Sequence, residues 1–379
     1  MSSINFLDKL LDGVEVEWTE VGELITPRRG RRLVKSQLEE AGSYAVYQNS
    51  MKPLGYYHES NVQSGATFVI VAGAAGEIGF SDVAFWAADD VYFFPESNTI
   101  RNKYLYHFLL KKQHEILSQV RRASIPRLSI VVVEKLQIPI PCPSNPKKSL
   151  EIQSEIVRIL DTFTELTAEL TAELTARKKQ YNYYRDKLLS FEEGEVEWKT
   201  LGALVDINTG SKPPEILENA TIFDYINAGT SRSGYSAASN CAGDTVTTPS
   251  RGQGGIGYVG YQRDPFWLGP LCYKLQSTNK AVLINKYLFY FLQSRSELLL
   301  GLKKEGGVPA VNKSDLIQLE VPVPLPEEQK RIVAILDKFD ALTHSITEGL
   351  PREIALRQKQ YEYYRDLLFS FPRPEEMVS

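Results

Sequence analysis

The most constraining feature of this sequence is an internal duplication. The segment KKQYNYYRD at 178–186 returns 180 positions later as QKQYEYYRD at 358–366. The same interval separates the VEVEW segment that ends at Trp18 from the GEVEW segment that ends at Trp198. Three more pairs of segments match in the same order between these marks: 102–109 with 285–292, 138–141 with 321–324, and 156–161 with 332–337. This repeated order predicts two copies of one folded unit.

The middle parts of the two copies do not match. Residues 26–75 and 206–250 share little, and similarity resumes where GEIG at 76–79 corresponds to GGIG at 254–257. Base edges are read by side chains that a scaffold positions, so one framework with two different inserts suits a reader of two unrelated short DNA sequences. Ordinary divergence of loops after a duplication predicts the same pattern, and both interpretations remain open.

The composition limits the class of protein. With 379 residues, 43% of them hydrophobic and 24% charged, the chain is long enough for two folded units with separate cores. No stretch approaches the roughly 20 apolar residues of a membrane helix, and residues 1–11 lack the features of an export signal, so we expect a cytoplasmic protein without membrane contact. A net charge of −4 argues against coating nucleic acid by bulk charge, so local basic patches would carry any DNA binding.

No catalytic, metal or cofactor site is indicated by the sequence. Cys142, Cys241 and Cys272 are far apart and lack the spacing of metal ligands. The glycine-rich segment 73–79 follows an apolar run, as cofactor-binding loops do, but no helical pattern follows it. We predict instead a turn between paired strands at 73–79, and for His107, on an apolar helical run, a place in the core. Cofactors are therefore expected to be none.

A long amphipathic helix closes the first copy. Apolar residues recur in steps of three and four from Ile152 to Leu174, and the pattern predicts one helix over 146–191. Such a helix would be on the order of 60 Å long, which is too long for one small domain to cover. The tetrapeptide TAEL occurs twice in succession at 167–174, so the helix can be lengthened in register, and we predict that its length acts as a ruler.

A similar seam in the second copy predicts a second helix over 326–371. Gly349 and Pro351 fall inside it and indicate either an end and restart or a kink. Antiparallel pairing of the two helices would bury both seams and relate the two copies by an approximate two-fold axis. The alternative is that each helix packs on its own domain. Tyrosines of the repeated segments 181–184 and 361–364 are predicted to pack between helices or on a partner, and not to stack on bases.

These features together resemble the specificity subunit of type I restriction-modification systems, over nearly the whole chain. The resemblance lies in the Glu-Trp openings, the variable inserts, and the Ile-Pro and Val-Pro segments at 125–126 and 308–309. It continues in the IPIP and VPVP exits and in the helix entry EEQKRIV at 327–333. The residues that precede the first helix, 149–153, depart from the more compact form of the second copy.

The resemblance implies an α+β fold in which two mixed α/β target-recognition domains are joined by two long antiparallel helices. It implies five segments: recognition domains at 1–145 and 192–325, conserved spacer helices at 146–191 and 326–371, and a C-terminal tail at 372–379. It also implies a bipartite double-stranded DNA target, with each domain reading one half. The implied partners are two modification subunits, which bind S-adenosylmethionine and methylate adenine, and a restriction and translocase subunit. Enzymatic activity would reside in those partners.

Candidate DNA-binding residues in the first copy include a cluster of arginines around Gly30, in a predicted loop that can approach phosphates. Gln48 and Asn49 could read adenine edges, with Lys52 beside them. Three further arginines flank Ile125-Pro126. The candidates of this copy are Arg28, Arg29, Arg31, Arg32, Gln48, Asn49, Lys52, Arg121, Arg122 and Arg127.

In the second copy, Lys303 and Lys304 lie in a predicted loop at the place that corresponds to Arg121 and Arg122, which suggests a shared phosphate contact. Arg251 and Gln253 could read guanine and adenine edges from a glycine-rich loop, and Lys212 follows a Thr-Gly-Ser turn. The candidates of this copy are Lys212, Arg251, Gln253, Lys303 and Lys304. A solvated surface explains any one of these residues as well as DNA contact does.

Two other classes of function remain as rivals. A two-domain scaffold for protein assembly would use the helices without reading DNA, and the arginine cluster around Gly30 argues for DNA. A stand-alone DNA-modifying enzyme would have to bind S-adenosylmethionine, and the sequence lacks the Asn/Asp-Pro-Pro-Tyr motif of adenine methyltransferases.

Overall fold

The computed structural model describes residues 13–192, 194–219, 222–252, 254–304 and 306–371. The chain divides into two compact units. Of the described residues, unit 1 contains 13–170 together with 353–371, and unit 2 contains those within 171–352. Unit 1 therefore includes the end of the second copy, and unit 2 includes the end of the first copy.

The described residues form twenty β-strands and eleven α-helices. The strands are β1 Val16–Glu20, β2 Arg28–Arg29, β3 Tyr44–Tyr47, β4 Gly55–Tyr57, β5 Ala66–Ile70, β6 Ile78–Ser81, β7 Trp86–Ala87, β8 Val91–Phe93, β9 Gln137–Pro141, β10 Glu197–Thr200, β11 Val205–Thr209, β12 Phe223–Ile226, β13 Gly234–Ser236, β14 Thr245–Pro249, β15 Gly260–Gln262, β16 Trp267–Leu268, β17 Cys272–Ser277, β18 Lys303–Lys304, β19 Ala310–Val311 and β20 Glu320–Val323. The helices are α1 Val21–Leu24, α2 Asn102–Lys111, α3 Gln113–Ser118, α4 Ile130–Glu134, α5 Pro146–Leu188, α6 Leu201–Leu204, α7 Asn285–Ser294, α8 Ser296–Gly301, α9 Lys313–Leu316, α10 Pro326–His344 and α11 Gly349–Leu368.

Unit 1 is built from three sheets. Strand β1 pairs with β9 and joins the opening of the copy to its IPIP exit. A four-stranded sheet has the order β2-β8-β5-β6, and all five residues of β5 are buried, as expected for a continuous apolar strand at the centre of a sheet. A three-stranded sheet has the order β4-β3-β7, with β3 and β7 parallel.

Unit 2 repeats this topology. Its sheets are β10-β20, β11-β17-β14-β15 and β13-β12-β16, again with the last pair parallel, and β18 pairs with β19. The two inserts therefore form the same strands in the same order although their sequences differ. What the sequence showed as an unmatched middle is part of the common framework, with different side chains on it.

Helix α5 runs for 43 residues from Pro146 to Leu188, and so ends three residues before the predicted end at 191. The second predicted helix over 326–371 is not continuous: α10 ends at His344 and α11 begins at Gly349. Gly349 has φ of +76°, and a Cβ atom there would collide with the carbonyl oxygen of Ala341. Of the two outcomes that its glycine and proline indicated, the end and restart is confirmed.

Both copies contribute to each core. In unit 1, Ile152, Ile156 and Leu160 from the start of α5 lie in one buried cluster with Leu368 and Phe369 at the end of α11. In unit 2, Tyr181 and Leu189 from the end of α5 lie in one cluster with Ile332 and Leu336 of α10. The helical seams thus pack on their own domain and against the other helix at once, so the two predicted arrangements are combined.

The three cysteines are buried free thiols. Residues 71–77 connect the antiparallel strands β5 and β6, so the predicted turn is confirmed except that 78 and 79 belong to β6. His107 is fully buried, as predicted. Within the described ranges, no helix has the length and apolar content that crossing a membrane requires.

Candidate nucleic-acid interface

The arginine cluster of unit 1 begins on a strand. Arg28 and Arg29 were predicted to lie in a loop, but they form β2 and pair with Phe93 and Tyr92 at the edge of the four-stranded sheet. They form a strand because hydrogen bonds with β8 satisfy backbone groups that a free loop would leave to water. Arg29 also donates from Nε to the carbonyl oxygen of Asp89 at 2.7 Å. All four arginines are exposed, and only Arg31 and Arg32 follow in irregular backbone.

Gly30 fixes the backbone from which Arg31 and Arg32 project. Its N–H donates to the carbonyl of Val91 at 2.8 Å, and a Cβ atom there would collide with the carbonyl of Ala88. In unit 2, a Cβ atom at Gly210 would likewise collide with the carbonyl of Leu268. A side chain at either position would separate the strands, so glycine is required by close approach.

The same framework makes Lys212 the counterpart of Arg32, because each follows its glycine by two residues. The N–H groups of Arg31 and Ser211 donate to the carbonyls of Ala87 and Leu268 at 2.9 and 3.1 Å. Both cations are exposed. Two candidates found separately in the sequence thus occupy one structural position.

Two residues that the sequence did not single out hold the insert of unit 1 to its framework. The side chain of Asn61 accepts from the N–H of Ala87 at 2.7 Å and donates to its carbonyl at 2.8 Å. Trp86 donates from Nε1 to the carbonyl of Arg31 at 2.9 Å. The Trp86 bond attaches the arginine segment to β7, and the Asn61 bonds attach a second part of the insert to the same strand.

Unit 2 has the same two connections. Asn240 bonds both backbone groups of Leu268, at 2.6 and 3.0 Å, and Trp267 donates to the carbonyl of Ser211 at 2.8 Å. The sequence carries one signal of this equivalence, which is a Phe-Trp dipeptide at 85–86 and again at 266–267.

The turn after β3 carries the candidate adenine readers. Gln48 is half-buried, and Asn49 and Lys52 are exposed. The carbonyl of Asn49 accepts from the N–H of Ala74 at 2.9 Å, so the turn lies against the segment that follows β5. In unit 2 the residue after β12 is Asn227, whose Oδ1 accepts from the N–H of Leu271 at 2.9 Å.

A small ribbon of three segments holds the remaining candidates of unit 1. Arg127 exchanges backbone hydrogen bonds with Arg121 at 2.9 and 3.1 Å, and on its other side it is the bridge partner of Ala72. Gly73 donates to the carbonyl of Pro126 at 3.1 Å and has φ of +80°. Arg121, Arg122 and Arg127 are all exposed, so three cations lie on or beside this ribbon.

The corresponding ribbon of unit 2 contains Lys303, Lys304 and Arg251. The lysines were predicted in a loop, but they form β18 and pair with β19, because the chain folds back on itself here. Arg251 is the bridge partner of Ala310, and Gly252 donates to the carbonyl of Pro309 at 3.1 Å. Gln253, the other candidate of this loop, lies outside the described residues.

One further exposed cation of unit 2, Arg232, was not predicted from the sequence. Arg232 is exposed in the turn between β12 and β13, where it pairs with Asp224 at 3.0 Å and lies 4.8 Å from the ring centre of Tyr235. The corresponding turn of unit 1 carries Lys52. No motif marked Arg232, and only the shared topology of the inserts reveals the match.

Polar side chains connect the helices within each unit. In unit 1, Asp161 of α5 contacts Lys103 and His107 of α2, each at 3.0 Å. Burial lowers the pKa of His107, and the contacts with Asp161 only partly offset this. Burial opposes ionisation of Asp161, but hydrogen bonds from His107 and Lys103 outweigh it and lower its pKa. A neutral histidine beside a carboxylate follows.

Unit 2 replaces this histidine by tyrosine. Tyr290 donates to Asp337 of α10, and Lys286 pairs with the same carboxylate at 2.9 Å. Burial and then the hydrogen bond to Asp337 raise the pKa of Tyr290 far above its usual range. Near the ribbon, burial raises the pKa of Tyr273, while the charge of Arg251 opposes the rise. In both units, charged and hydroxyl groups thus link the corresponding pair of helices.

The geometry offers cationic and amide side chains on a rigid backbone, which suits contact with a polyanion and with base edges. Among the residues whose placement is described, no group of three or more His, Cys, Asp or Glu side chains could hold a metal ion.

Two segments of the chain, residues 13–177 and 193–356, match the family model of the type I restriction modification DNA specificity domain. The chain belongs to this family. It is 41% identical over 411 residues to the specificity subunit of the type I restriction enzyme EcoR124I/EcoR124II of Escherichia coli, covering 99% of each chain. It is 32% identical over 418 residues to a putative type I restriction enzyme specificity subunit of Haemophilus influenzae, covering 97% of this chain and 98% of the relative.

The fold has also been observed in a crystal structure, that of the type I restriction-modification S subunit from M. genitalium. The TM-score is 0.70 at 20% identity, covering 96% of this chain and 98% of that chain. The family model and the relatives confirm the predicted family, and the structural match confirms the fold class. Its role is DNA recognition and not catalysis, and the protein-assembly scaffold is not favoured.

Proposed function

We propose that each recognition domain of this specificity subunit reads one half of a bipartite double-stranded DNA target. The observation that carries the proposal is one framework built twice with different side chains at equivalent positions. Arg31 in unit 1 corresponds to Ser211 in unit 2. Arginine bonds guanine edges preferentially, whereas serine does not favour guanine, so the two domains would recognise different half-sites.

Within each domain, phosphate contacts and base contacts have different sources. Positions that are cationic in both units, such as Arg32 and Lys212, would bind the backbone, because phosphates are the same in every half-site. Further candidates for phosphate contacts are Arg28, Arg29, Arg121, Arg122, Lys52, Lys303 and Lys304. Further candidates for base contacts are Asn49 and Gln253.

We assign recognition to residues 1–145 and 192–325, and spacing to residues 146–191 and 326–371. The 43-residue helix α5 supports this, since it begins in unit 1 and ends in unit 2 without a break. A continuous helix has a fixed rise of 1.5 Å per residue, so its length would set the distance between half-sites.

The repeated tyrosine segments would dock two modification subunits. In each repeat the first tyrosine is largely buried, and the third stacks on a phenylalanine, Tyr184 on Phe339 and Tyr364 on Phe163. The middle tyrosines remain 61% exposed at Tyr183 and 57% exposed at Tyr363. Two matching aromatic surfaces suit two copies of one partner, since tyrosine is enriched at protein interfaces. A restriction and translocase subunit would join this assembly, in the cytoplasm, where chromosomal DNA is accessible.

The proposal is tested by expressing the chain with a modification subunit of its own system and mapping methylated adenines across the host genome. We expect one split motif, two short specified sequences separated by a fixed number of unspecified bases. Exchange of residues 206–250 for the corresponding insert of a relative should change one half of the motif only. Methylation without a split motif, or a change in both halves, would contradict the proposal.

A further inference from the structure

The ribbons of the two units differ by an exchange of arginine across one bridge. In unit 1 the bridge pairs Ala72 with Arg127, and in unit 2 it pairs Arg251 with Ala310. Alanine and arginine have therefore changed sides, and each bridge keeps one guanidinium. Arg251 was grouped with base readers by its sequence, whereas in the fold it occupies the position of Ala72, across the bridge from the position of Arg127.

The backbone around both bridges is the same. In unit 1, Gly73 donates to the carbonyl of Pro126 at 3.1 Å, and Leu128 donates to the carbonyl of Val71 at 2.9 Å. In unit 2 the corresponding bonds have the same lengths, with Gly252 donating to Pro309 at 3.1 Å and Val311 to Ser250 at 2.9 Å. Both glycines have positive φ. The exchanged residues thus occupy equivalent places.

A third position extends the row. Arg121 is the other neighbour of Arg127, and Lys304 is the other neighbour of Ala310. The row of neighbours is Ala72, Arg127 and Arg121 in unit 1, and Arg251, Ala310 and Lys304 in unit 2. Each row therefore carries two cations and one alanine, in a different order. Lys304 lies 3.2 Å from Asp315, whereas neither Arg127 nor Arg251 has an ion-pair partner within the described part of the chain.

Distance permits the exchange. Neighbouring strands lie about 4.8 Å apart, and directly opposed residues project from the same face. A guanidinium that starts one strand away can reach the same point, because the arginine side chain is long and flexible. Both arginines are exposed, so they are free to meet a ligand.

We infer that Arg127 and Arg251 make the same contact in their two domains, and that its ligand is a phosphodiester of the DNA backbone. The inference rests on the proposed function and deepens it. Each bridge carries one guanidinium although the arginine lies on a different segment and the two inserts differ. We therefore expect this guanidinium to bind a feature that both half-sites share. The backbone is that feature, whereas bases differ between half-sites.

The test uses the full chain assembled with its modification subunits, and a fluorescent duplex pool of random sequence beside the duplex that carries the mapped motif. Arg251→Ala should weaken binding to both duplexes by the same factor, and should reduce the slope of log affinity against log salt by about 1. Arg251→Ala combined with Ala310→Arg should restore both quantities, because Ala310 is partly exposed and can accept the larger side chain.

The matched control combines Arg251→Ala with Ile346→Arg, which returns the same charge to unit 2 at a residue that is 85% exposed and outside the recognition domain. It should not restore binding. If Arg251→Ala weakens only the cognate duplex, or if the exchange fails to rescue a folded protein, the inference is wrong.

Should the exchanged variant not fold, Arg127→Ala decides: it should weaken binding to both duplexes by the same factor and reduce the salt slope by about 1, and a loss confined to the cognate duplex would refute the inference. An absence of any split motif for the unaltered assembly would refute the proposed function instead, and the salt slopes would still report whether a phosphate is bound.

Discussion

The hydroxyl of Tyr361 lies 2.9 Å from Nδ1 of His107, so a helix from the second copy is hydrogen-bonded to the domain of the first. Nε2 of the same imidazole lies 3.0 Å from Oδ1 of Asp161. A carboxylate only accepts, so Nε2 carries the proton and Nδ1 accepts from the tyrosine. The neutral histidine of α2 thus bonds side chains of α5 and α11 at once. Its neutral state agrees with the lowered pKa that its burial causes.

The first prediction concerns pH. Because the folded-state pKa of His107 is below its unfolded value near 6.5, the unfolded chain binds the proton more readily, and stability falls as pH drops below about 6.5. His107→Tyr copies Tyr290 of unit 2 and removes this titration. We expect the variant to lose less stability than the unaltered chain between pH 7 and pH 5, measured by denaturant unfolding. The carboxylate of Asp161 should add its own loss in both proteins only at lower pH, since its pKa is lowered.

Equal losses in the two proteins over that range would show that His107 does not titrate with folding. The control is His58→Tyr, which replaces an exposed histidine that bonds Glu39 at the surface of the same unit.

A second prediction concerns the asparagines that hold the inserts. Asn61→Ala removes two hydrogen bonds to Ala87, and we expect a loss of about 1–3 kcal/mol in the free energy of unfolding, because backbone groups of a buried residue lose their partner. Asn240→Ala should have a similar effect in unit 2. Each variant should weaken recognition of one half-site and spare the other, which methylation mapping would report. Weakening of both halves by either variant would refute separate reading domains.

The third prediction concerns the close approach at Gly30. Gly30→Ala introduces a Cβ atom against the carbonyls of Ala87 and Ala88, and overpacking of this kind costs about 1–3 kcal/mol. We expect a lower thermal midpoint and reduced DNA affinity. Gly301→Ala is the matched control, because no atom lies within 4 Å of its added Cβ. Similar behaviour of the two variants would mean that the close approach has no part in recognition.

The fourth prediction concerns spacing. Deletion of Thr171–Leu174 removes one TAEL unit, about 6 Å of helix, and we expect a shorter spacer with both half-sites unchanged. Replacement of the same four residues by alanine keeps the length and should keep the spacer. The readout is again the methylated motif. A spacer of unaltered length in the deletion variant would refute the ruler.

Much of the fold could be predicted because its signals are local or repeated. The duplication, the first long helix and the break near Gly349 were all visible as periodicity, glycine and proline. The inserts were not predictable, since their strands are short and their order is set by contacts between distant residues. Asn61 and Ala87, for example, are 26 positions apart, and no spacing rule links them.

The candidate site was predicted in composition but not in geometry. Arginine and lysine clusters showed where positive charge accumulates, yet Arg28 and Lys303 proved to be strand residues, because pairing depends on a partner segment that the sequence does not identify. The correspondence of Arg127 with Arg251 was hidden for a similar reason. The two arginines do not lie at matching positions of the repeated sequence. Only the bridge that each forms with an alanine shows that they belong to the same pair of positions in the fold.

The division of the chain into units bears on how the protein emerges from the ribosome. Unit 2 is a continuous stretch within 171–352, so all its parts are available once that stretch has been synthesised. Unit 1 needs residues from 353 onward, including Tyr361 for His107 and Phe369 against Tyr104. The domain that is translated first therefore completes its core last, and premature termination after unit 2 would leave it with unfilled hydrophobic space.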